Sequence, residues 1–307
     1  MDPSFYLTLS RKDYPNSIIW PGHFTPVPVY SFQWVEEDLF NYLRCPRALE
    51  LNVLIPQTSE FAAFVAKYLS LLAYLINYSG LALTNSSSYA NLNIAYRICD
   101  CILCEEAVGL PLSLWASNIT QRCHEFLSDR YGQYRGIRSN SVYNGINIGE
   151  ESRRTFSGKL IWEILDRFQA KLDNHFNPTV NPWINEKVYH VYSAHDTSLM
   201  QFSSVLGFNT VNFEADLEPD TSDALTMEFW VDENDNSTVI KVLHFRRDNL
   251  IPLDISKLIP GCENTSDGCS LEQFAAKSEP YRIIGTFNEF CASSIYSTPE
   301  FKISSKH

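Results

Sequence analysis

The sequence predicts an α/β protein in which a sheet domain carries a largely helical cap. One observation is a junction of strand, turn and helix between Lys187 and Gly207, where the spacing of apolar residues changes from strand-like to helical. The others are a block of helical periodicity over roughly residues 45–150 and two strand-like runs after the junction. A few strands around a large helical insert predict one domain over residues 1–307, with the cap at roughly 45–150 and the α/β core at roughly 150–291.

Apolar spacing predicts the helices in order. In the short helix Glu36–Arg44 acids lead and a base trails, as the helix dipole favours, and Cys45-Pro46-Arg47 ends it. Lys67 lies near the middle of the most apolar helix, where it would cost about 2.5–3.5 kcal/mol in a bilayer. We therefore favour a buried amphipathic helix there over a membrane span. The four longer predicted helices cover residues 59–77, 88–106, 115–135 and 150–175.

Strand-like runs at 225–231 and 239–245 flank a polar turn at 232–236, and this pattern predicts a β-hairpin. A loop that contains Cys262 and Cys269 follows, and then a short helix at 271–276. Residues 1–20 are unpatterned and are interpreted as a tail. The chain has no internal repeat and no low-complexity linker.

The junction itself carries the candidate chemistry. Val188–Tyr192 is β-branched and aromatic, which predicts a strand, and helical spacing begins at Ser198 and ends at Gly207. His195 and Asp196 are therefore expected at the carboxyl end of a strand and in the first turn of a helix. Ligands bind there in open α/β sheets, and backbone N–H groups at a helix start favour an anion.

A structural role for the same pair is the alternative. Asp196 with Thr197 could form an N-cap, which is worth about 1 kcal/mol. His195 could be a buried imidazole whose hydrogen bonds are satisfied.

Composition limits the function. A formal net charge of −12 argues against nucleic acid as a partner, because phosphate backbones need clustered Lys and Arg. Eight cysteines and five Asn-x-Ser/Thr sequons indicate a secretory or lysosomal history. Residues 1–6 show no basic segment followed by an apolar one, so no signal peptide is visible and we expect the amino end to be incomplete. The candidate glycosylation sites are Asn77, Asn85, Asn118, Asn236 and Asn264.

The segment Tyr192-Ser193-Ala194-His195-Asp196-Thr197 resembles the second signature of the histidine acid phosphatases of the prostatic and lysosomal type. The resemblance implies a phosphoglycerate-mutase-like sheet domain with a helical cap, a small phosphorylated substrate or ligand, and no cofactor or metal. It also leaves a homodimer open. Further blocks that resemble the family in the same order are Trp20 with Pro26-Val27-Pro28-Val29, Cys45-Pro46-Arg47, Leu110–Trp115, Leu258–Cys262 and Cys269–Phe274.

The resemblance implies that His195 donates to a phosphate oxygen and that Asp196 is the general acid and base. The family's first signature, R-H-G-x-R-x-P, is absent from this sequence, and with it the nucleophilic histidine and the arginines that clamp the phosphate. We therefore expect a truncated or diverged acid phosphatase that is inactive as written. The alternative is a pseudophosphatase that binds a phosphorylated ligand or partner. Without the missing central strand the sheet should have a gap or an exposed edge, which residues 3–10 could cover.

For the cysteines, the resemblance implies the disulfides Cys45–Cys291 and Cys262–Cys269. A family cysteine that matches Cys104 would pair near Asp223-Ala224, where this chain has none. The pairing of Cys99, Cys101, Cys104 and Cys123 therefore stays open. Their C-x-C-x2-C spacing also allows a zinc site as an alternative.

Two other hydrolase classes fit the sequence less well. Metal-dependent phosphohydrolases of the HD type use a His-Asp doublet as metal ligands, but on a helix and among further ligands, whereas only His190 lies near this one. Serine hydrolases of the α/β class need G-x-S-x-G, which does not occur.

Overall fold

The computed structural model describes residues 31–33, 36–40, 42–80, 88–136, 139–208, 219, 222–246, 249–263, 265 and 267–297. The predicted tail, the strand-like residues 3–10 and the Trp20 block lie outside the described residues. The chain divides into two compact units, Met1–Glu37 and Asp38–His307, and every element below belongs to the second.

The first helix, α1 (Pro46–Leu54), begins at Cys45-Pro46-Arg47, where a helix was predicted to end. The helix predicted over Glu36–Arg44 is wrong, since among the described residues of that stretch only Tyr42–Arg44 are helical, in a single 3-10 turn. Proline lacks a backbone N–H and has a fixed φ, so Pro46 suits the first helical position better than a helix end.

Helix α2 (Ser59–Tyr78) forms as predicted, with Thr58 Oγ1 accepting a hydrogen bond from the backbone N–H of Phe61 at 3.2 Å. Among the described residues it is the one helix long and apolar enough to cross a membrane. It packs against the next two long helices through its apolar stripe, and Lys67 pairs with Asp129 at 2.6 Å. This packing agrees with the prediction of a buried amphipathic helix. The buried side chains of α2 are Phe61, Phe64, Tyr68, Leu71, Leu72 and Leu75.

The other predicted helices form with interruptions. The helix expected at 115–135 is split at Asn118 and Ile119, and the helix expected at 150–175 contains one π-helical turn, Arg154–Gly158. The elements are α3 (Ser88–Ala107), α4 (Leu114–Ser117), α5 (Thr120–Tyr134), β1 (Val142–Tyr143), β2 (Ile146–Asn147), α6 (Ile148–Arg153), α7 (Lys159–Phe176), α8 (Asp196–Leu206), α9 (Leu271–Ser278) and α10 (Phe287–Ala292). Short 3-10 turns lie at Ile55–Gln57, Pro182–Ile184, Ser256–Leu258, Glu279–Tyr281 and Ile295–Ser297.

The larger sheet is an antiparallel meander of β3 (Ala224–Val231), β4 (Thr238–Arg246) and β5 (Asn249–Asp254). The hairpin of β3 and β4 was predicted, and Phe229 lies opposite Ile240 in its register. Strand β5 was missed, because Pro252 argues against a strand. Proline is tolerated here because β5 is at the edge of this sheet.

The buried apolar side chains form two main clusters. One combines residues of α1 to α6 with Phe290, Cys291 and Ile295 from the C-terminal part. The other combines α7, α8 and α9 with strand β4 and includes Cys262 and Cys269. The boundaries predicted for cap and core stay a prediction.

The strand predicted at Val188–Tyr192 is wrong for the described part of the chain, where the segment pairs with no strand. Its side chains at Val188, Tyr189 and Val191 are 92%, 75% and 64% exposed. A β-branched sequence favours extended backbone, but a strand forms only where another strand supplies hydrogen-bond partners. In the described part of the chain these residues therefore form an exposed segment outside any sheet that leads into α8. The gap or exposed sheet edge expected from the sequence stays a prediction.

Candidate functional site

His195 lies at the N-cap position of α8. Its backbone is extended, with φ −94° and ψ 163°. Its carbonyl oxygen accepts hydrogen bonds from the backbone N–H groups of Ser198 at 3.0 Å and Leu199 at 3.2 Å. The imidazole is exposed and makes no capping hydrogen bond, so it is accessible to a ligand.

Asp196 is the first residue of α8, and its side chain is also exposed. Its Oδ1 accepts a hydrogen bond from the backbone N–H of Thr197 at 2.6 Å. A negative charge in the first turn of a helix is favoured by the helix dipole. The alternative of Asp196 as the N-cap is wrong, since His195 holds that position. Imidazole and carboxyl therefore lie side by side at a helix start, as predicted, although the helix follows an unpaired segment and no strand.

The far end of α8 is fixed by Gly207. This glycine has φ +100°, and its backbone N–H donates to the carbonyl oxygens of Ser203 and Ser204. A Cβ at this position would lie 2.8 Å from Cδ of Pro260, so no other residue fits without a shift of the neighbouring loop. Helix α8 is thereby held as a firm base for the two exposed groups at its start. Its buried apolar side chains are Met200, Phe202, Val205 and Leu206.

Tyr192, three residues before His195, ties the extended segment to α7. Its hydroxyl donates to Oε1 of Glu163 at 2.9 Å, and Arg167 Nη1 donates to the same oxygen at 2.6 Å. Arg167 also donates to the Tyr192 hydroxyl oxygen. Burial, together with the negative charge of Glu163, raises the pKa of Tyr192, so its hydroxyl stays protonated and keeps donating.

Sequence reasoning missed this network. Glu163 and Arg167 are four residues apart on one helix, a spacing that predicts an ion pair. Nothing in the sequence indicated that Tyr192, 25 residues beyond Arg167, completes it. The contact depends on how the extended segment crosses α7.

A cavity of about 430 Å³ lies along the same helix. The guanidinium of Arg282 stacks on Trp162 at 3.8 Å from the ring centroid, and Lys159 pairs with Asp38 and lies 5.2 Å over Phe287. Three cations and two carboxylates line the cavity together with aromatic rings. The lining residues are Lys159, Trp162, Glu163, Asp166, Arg167, Trp183, Arg282, Ile283, Gly285 and Phe287.

His190 is the other histidine on the segment, and it is exposed. Partial desolvation and the positive charges of Arg167 and Lys187 lower the pKa of His190. This favours a neutral imidazole at physiological pH. His190 nevertheless lies in a Tyr-His-Val context and lacks the Arg-His-Gly surroundings of the family's nucleophile.

The remaining described histidines belong to other elements. His124 on α5 lies 3.8 Å from Glu106, and His175 is exposed in the last turn of α7. His244 is buried in β4, 3.5 Å from Asp223. Burial lowers the pKa of His244, and Asp223 opposes this shift.

In the described ranges, no group of three or more His, Cys, Asp or Glu side chains could hold a metal ion. The zinc alternative is wrong, because Cys99 and Cys123 are bonded to each other. The structure also contains Cys45–Cys291 and Cys262–Cys269, the two pairs that the resemblance implies. Cys101 and Cys104 are free.

Three of the candidate glycosylation sites lie in the described residues, and all three are exposed: Asn77, Asn118 and Asn236. Asn236 lies in the turn of the β3–β4 hairpin with φ +60°. Asn85 and Asn264 lie outside the described residues.

The sequence pattern of the histidine phosphatase superfamily (branch 2) matches residues 63–244. This range contains the junction with His195 and Asp196. The helices and small sheets described above agree with the α/β fold with a helical cap of that superfamily.

Individual relatives are acid phosphatases. Human testicular acid phosphatase is 26% identical over 264 residues, which cover 84% of this chain and 55% of the relative. Rat lysosomal acid phosphatase is 25% identical over 258 residues, which cover 83% of this chain and 53% of the relative. The bovine lysosomal enzyme is 24% identical over the same length and shares. The chain thus spans about half the length of these relatives. By the family match over more than half of its residues, the chain belongs to the histidine phosphatase superfamily, branch 2, and within it to the histidine acid phosphatases.

Proposed function

We propose that this chain supplies the acid/base half of a phosphate-monoester site. The observation that carries the proposal is the adjacency of two exposed groups, the His195 imidazole and the Asp196 carboxyl, at the start of α8. Backbone N–H groups and the dipole at a helix start attract an anion. Membership of the histidine acid phosphatases supports a phosphorylated ligand.

The proposed chemistry uses each group differently. A phosphate monoester is anionic and repels nucleophiles, so donors must neutralise its oxygens. An N–H of His195 donates to one of these oxygens. Asp196 acts first as the general acid that gives a proton to the leaving alkoxide oxygen, and later, as a carboxylate, it removes a proton from water. Both roles need solvent-accessible groups, and both side chains are exposed.

Neither His195 nor Asp196 is the nucleophile of this reaction. The 307 residues contain no Arg-His-Gly triplet. We therefore propose that the 307-residue polypeptide by itself binds a phosphorylated ligand and does not turn it over. Loss of one member of a catalytic unit commonly lowers the rate by several powers of ten.

A second candidate function is binding without any catalytic role, as a pseudophosphatase. The observation that favours it is the exposure of His195 and Asp196 together with the bare extended segment before them. A site this open can accept a phosphate group carried by a larger ligand or partner.

Two measurements on the purified chain test the proposal. The first is hydrolysis of p-nitrophenyl phosphate at pH 5, for which we expect no turnover. The second is equilibrium binding of inorganic phosphate and of vanadate, for which we expect saturable binding that His195→Ala weakens at least about tenfold, since a charge-assisted hydrogen bond is worth about 1.5–3 kcal/mol.

The matched control is His175→Ala, which removes an exposed imidazole from the end of α7 and should leave binding unchanged. Hydrolysis at rates typical of acid phosphatases would contradict the inactivity of the chain alone. Binding that is equal in the wild type and in His195→Ala would contradict the site itself.

We also propose a secretory-pathway or lysosomal location. Its support is the three disulfides, the exposed sequons at Asn77, Asn118 and Asn236, and relatives that are named lysosomal acid phosphatases. Expression in a secretory host followed by peptide-N-glycosidase treatment should lower the apparent mass. An unchanged mass would contradict the proposal.

A further inference from the structure

The cavity of about 430 Å³ along α7 is lined by neither His195 nor Asp196. Small-molecule sites usually have volumes of about 300–1,000 Å³, so this cavity is large enough for a ligand of its own. Trp183 reaches it from the 3-10 turn Pro182–Ile184, and Phe287 from the start of α10. The side chains that α7 contributes are spaced by three, one, three and one residues and so share one face of the helix: Lys159, Trp162, Glu163, Asp166 and Arg167.

Trp183 gives the cavity an exposed aromatic surface. Its side chain lines the cavity and is nevertheless 52% exposed, whereas Trp162 and Phe287 are half-buried. A large aromatic side chain buries about 150–250 Å² when it is covered. An indole that stays half in water therefore offers an apolar face that a ligand in the cavity can cover.

The three aromatic rings of the cavity already face cations of the protein itself. Cation–π attraction is therefore satisfied within the chain, and a cationic ligand would meet a positive charge at each ring. The pairs, with the distance from the cation to the ring centroid, are Arg282 over Trp162 at 3.8 Å, Lys159 over Phe287 at 5.2 Å and Lys187 over Trp183 at 5.4 Å.

Asp166 supplies an available hydrogen-bond acceptor. Its side chain is exposed, and within the described part of the chain no hydrogen bond or ion pair engages its carboxylate. The other carboxylate of the cavity, Glu163, is already held by Arg167 and Tyr192. An ionised carboxylate accepts hydrogen bonds and donates none. Asp166 would therefore repel an anionic ligand and bind one that carries hydroxyl groups.

Arginine side chains supply the donors. Arg282 lies flat on Trp162, and its side chain is 47% exposed, with Glu279 at 3.5 Å as an exposed partner. A guanidinium that stacks on a ring keeps its N–H groups directed outward in the guanidinium plane. Nε of Arg167 is buried and has no hydrogen-bond partner among the described residues. The cavity thus combines an apolar face with both donors and an acceptor.

We propose that this cavity binds a neutral carbohydrate of monosaccharide or disaccharide size. The C–H face of a pyranose ring covers Trp183, because these hydrogens are weakly positive and the face of the indole is negative. Hydroxyls at the edge of the sugar donate to Asp166 and accept from Arg282. An apolar ligand fits less well, since it would desolvate both charged groups and leave them without partners.

The experiment measures binding of four neutral probes to the purified chain, the methyl glycosides of glucose, galactose, mannose and N-acetylglucosamine. Calorimetry gives the affinity, and saturation-transfer NMR shows which protons of the sugar contact the protein. We expect saturable binding of at least one glycoside, with the strongest transfer to its ring C–H protons. Trp183→Ala should abolish this transfer. Asp166→Asn should weaken binding about tenfold, because a charge-assisted hydrogen bond becomes a neutral one.

The chain offers matched controls for both variants. Trp230→Ala removes an indole of β3 that is 56% exposed and faces Lys241 at 5.9 Å, and it should bind the glycosides as the wild type does. Asp173→Asn neutralises a carboxylate about two turns further along α7 and should also leave binding unchanged. His195→Ala should bind glycosides normally, which separates this site from the phosphate site. Circular dichroism checks that each variant is folded.

Three results would overturn the proposal. One is a wild type that binds none of the four glycosides. Another is glycoside binding that Trp183→Ala leaves unchanged, because the sugar would then lie elsewhere. The third is tighter binding of a charged probe, tetramethylammonium or benzenesulfonate, than of every glycoside, with the same dependence on Trp183. In that case the class of ligand is wrong.

Discussion

The guanidinium of Arg47 forms an ion pair with the carboxylate of Glu151 in the interior of the protein, where their side chains are only 1% and 5% exposed. Arg47 Nη1 also donates to the Ser294 carbonyl at 3.1 Å, and Glu151 accepts from Arg154 at 3.0 Å. The pair therefore joins α1, α6 and the C-terminal segment that follows α10.

Because both charges are buried, removal of one should leave the other uncompensated. Glu151→Gln is expected to lower the free energy of unfolding by about 3–5 kcal/mol, as measured by denaturant titration. The matched control is Glu150→Gln. Glu150 is the neighbouring residue, its side chain is 34% exposed, and it pairs with Arg154 at 3.0 Å. Glu150→Gln should lower the free energy of unfolding by only about 0–1 kcal/mol. Equal losses in the two variants would show that burial of the pair does not matter.

Tyr192→Phe removes the hydroxyl that connects the extended segment to Glu163 and Arg167. We expect a loss of about 0.5–1.5 kcal/mol in stability. Phosphate binding should weaken as well, because the segment before His195 is less firmly held. Calorimetry measures both effects. Tyr189→Phe, at a 75% exposed position on the same segment, should change neither. If the two variants behave alike, the network has no part in holding the site.

Gly207→Ala should destabilise the protein in two ways. Alanine is strained at φ +100°, and its Cβ meets Pro260 at 2.8 Å. Gly80→Ala separates the backbone strain from the steric clash. Gly80 also has a positive φ, +70°, but a Cβ there would have nothing within 4 Å. The strain alone is worth about 1–2 kcal/mol, so thermal unfolding should show a clearly larger loss for Gly207→Ala. Similar losses would mean that the loop at Pro260 yields freely.

Lys277 should make stability depend on pH. Its Nζ donates to the Leu206 carbonyl at 2.8 Å, and burial lowers its pKa to about 8 from 10.5, while Glu263 opposes the shift. Between these values the unfolded chain binds more protons than the folded one. Stability should therefore rise as pH increases from about 8 to 10.5, and the cost of the buried charge is fully present below pH 8.

The measurement is the urea midpoint of the wild type and of Lys277→Met over that range. The methionine variant should lose the rise that Lys277 contributes. Lys257→Met, at an exposed position, should keep it. If the urea midpoint of Lys277→Met still rises with pH, a group other than Lys277 causes the increase in stability.

Long periodic segments were predictable from the sequence. Helix α2 and the β3–β4 hairpin formed within one or two residues of their predicted bounds, because their apolar spacing matches the face they bury. Strand β5 was not predictable, since its place at the sheet edge is what makes Pro252 acceptable.

The candidate site was likewise predictable only in part. The local part, His195 and Asp196 at the start of α8 with Gly207 at its end, followed from neighbouring residues. The part that depends on distant contacts did not. Val188–Tyr192 has strand composition, but no strand in the described part of the chain pairs with it, and Tyr192 reaches α7 instead. Local propensity specifies the shape of a segment, and its partners decide whether a strand results.

The apolar, unpaired residues before His195 also affect how the protein can be handled. The exposed apolar side chains of Val188, Tyr189 and Val191 favour self-association of the protein. At neutral pH this is opposed by electrostatic repulsion between chains of net charge −12. That repulsion vanishes near the isoelectric point of about 5.0, which is the pH of the hydrolysis assay proposed above. Colloidal stability should therefore be lowest under the conditions of the assay, and dilute samples with added arginine would keep precipitation from being mistaken for inactivity.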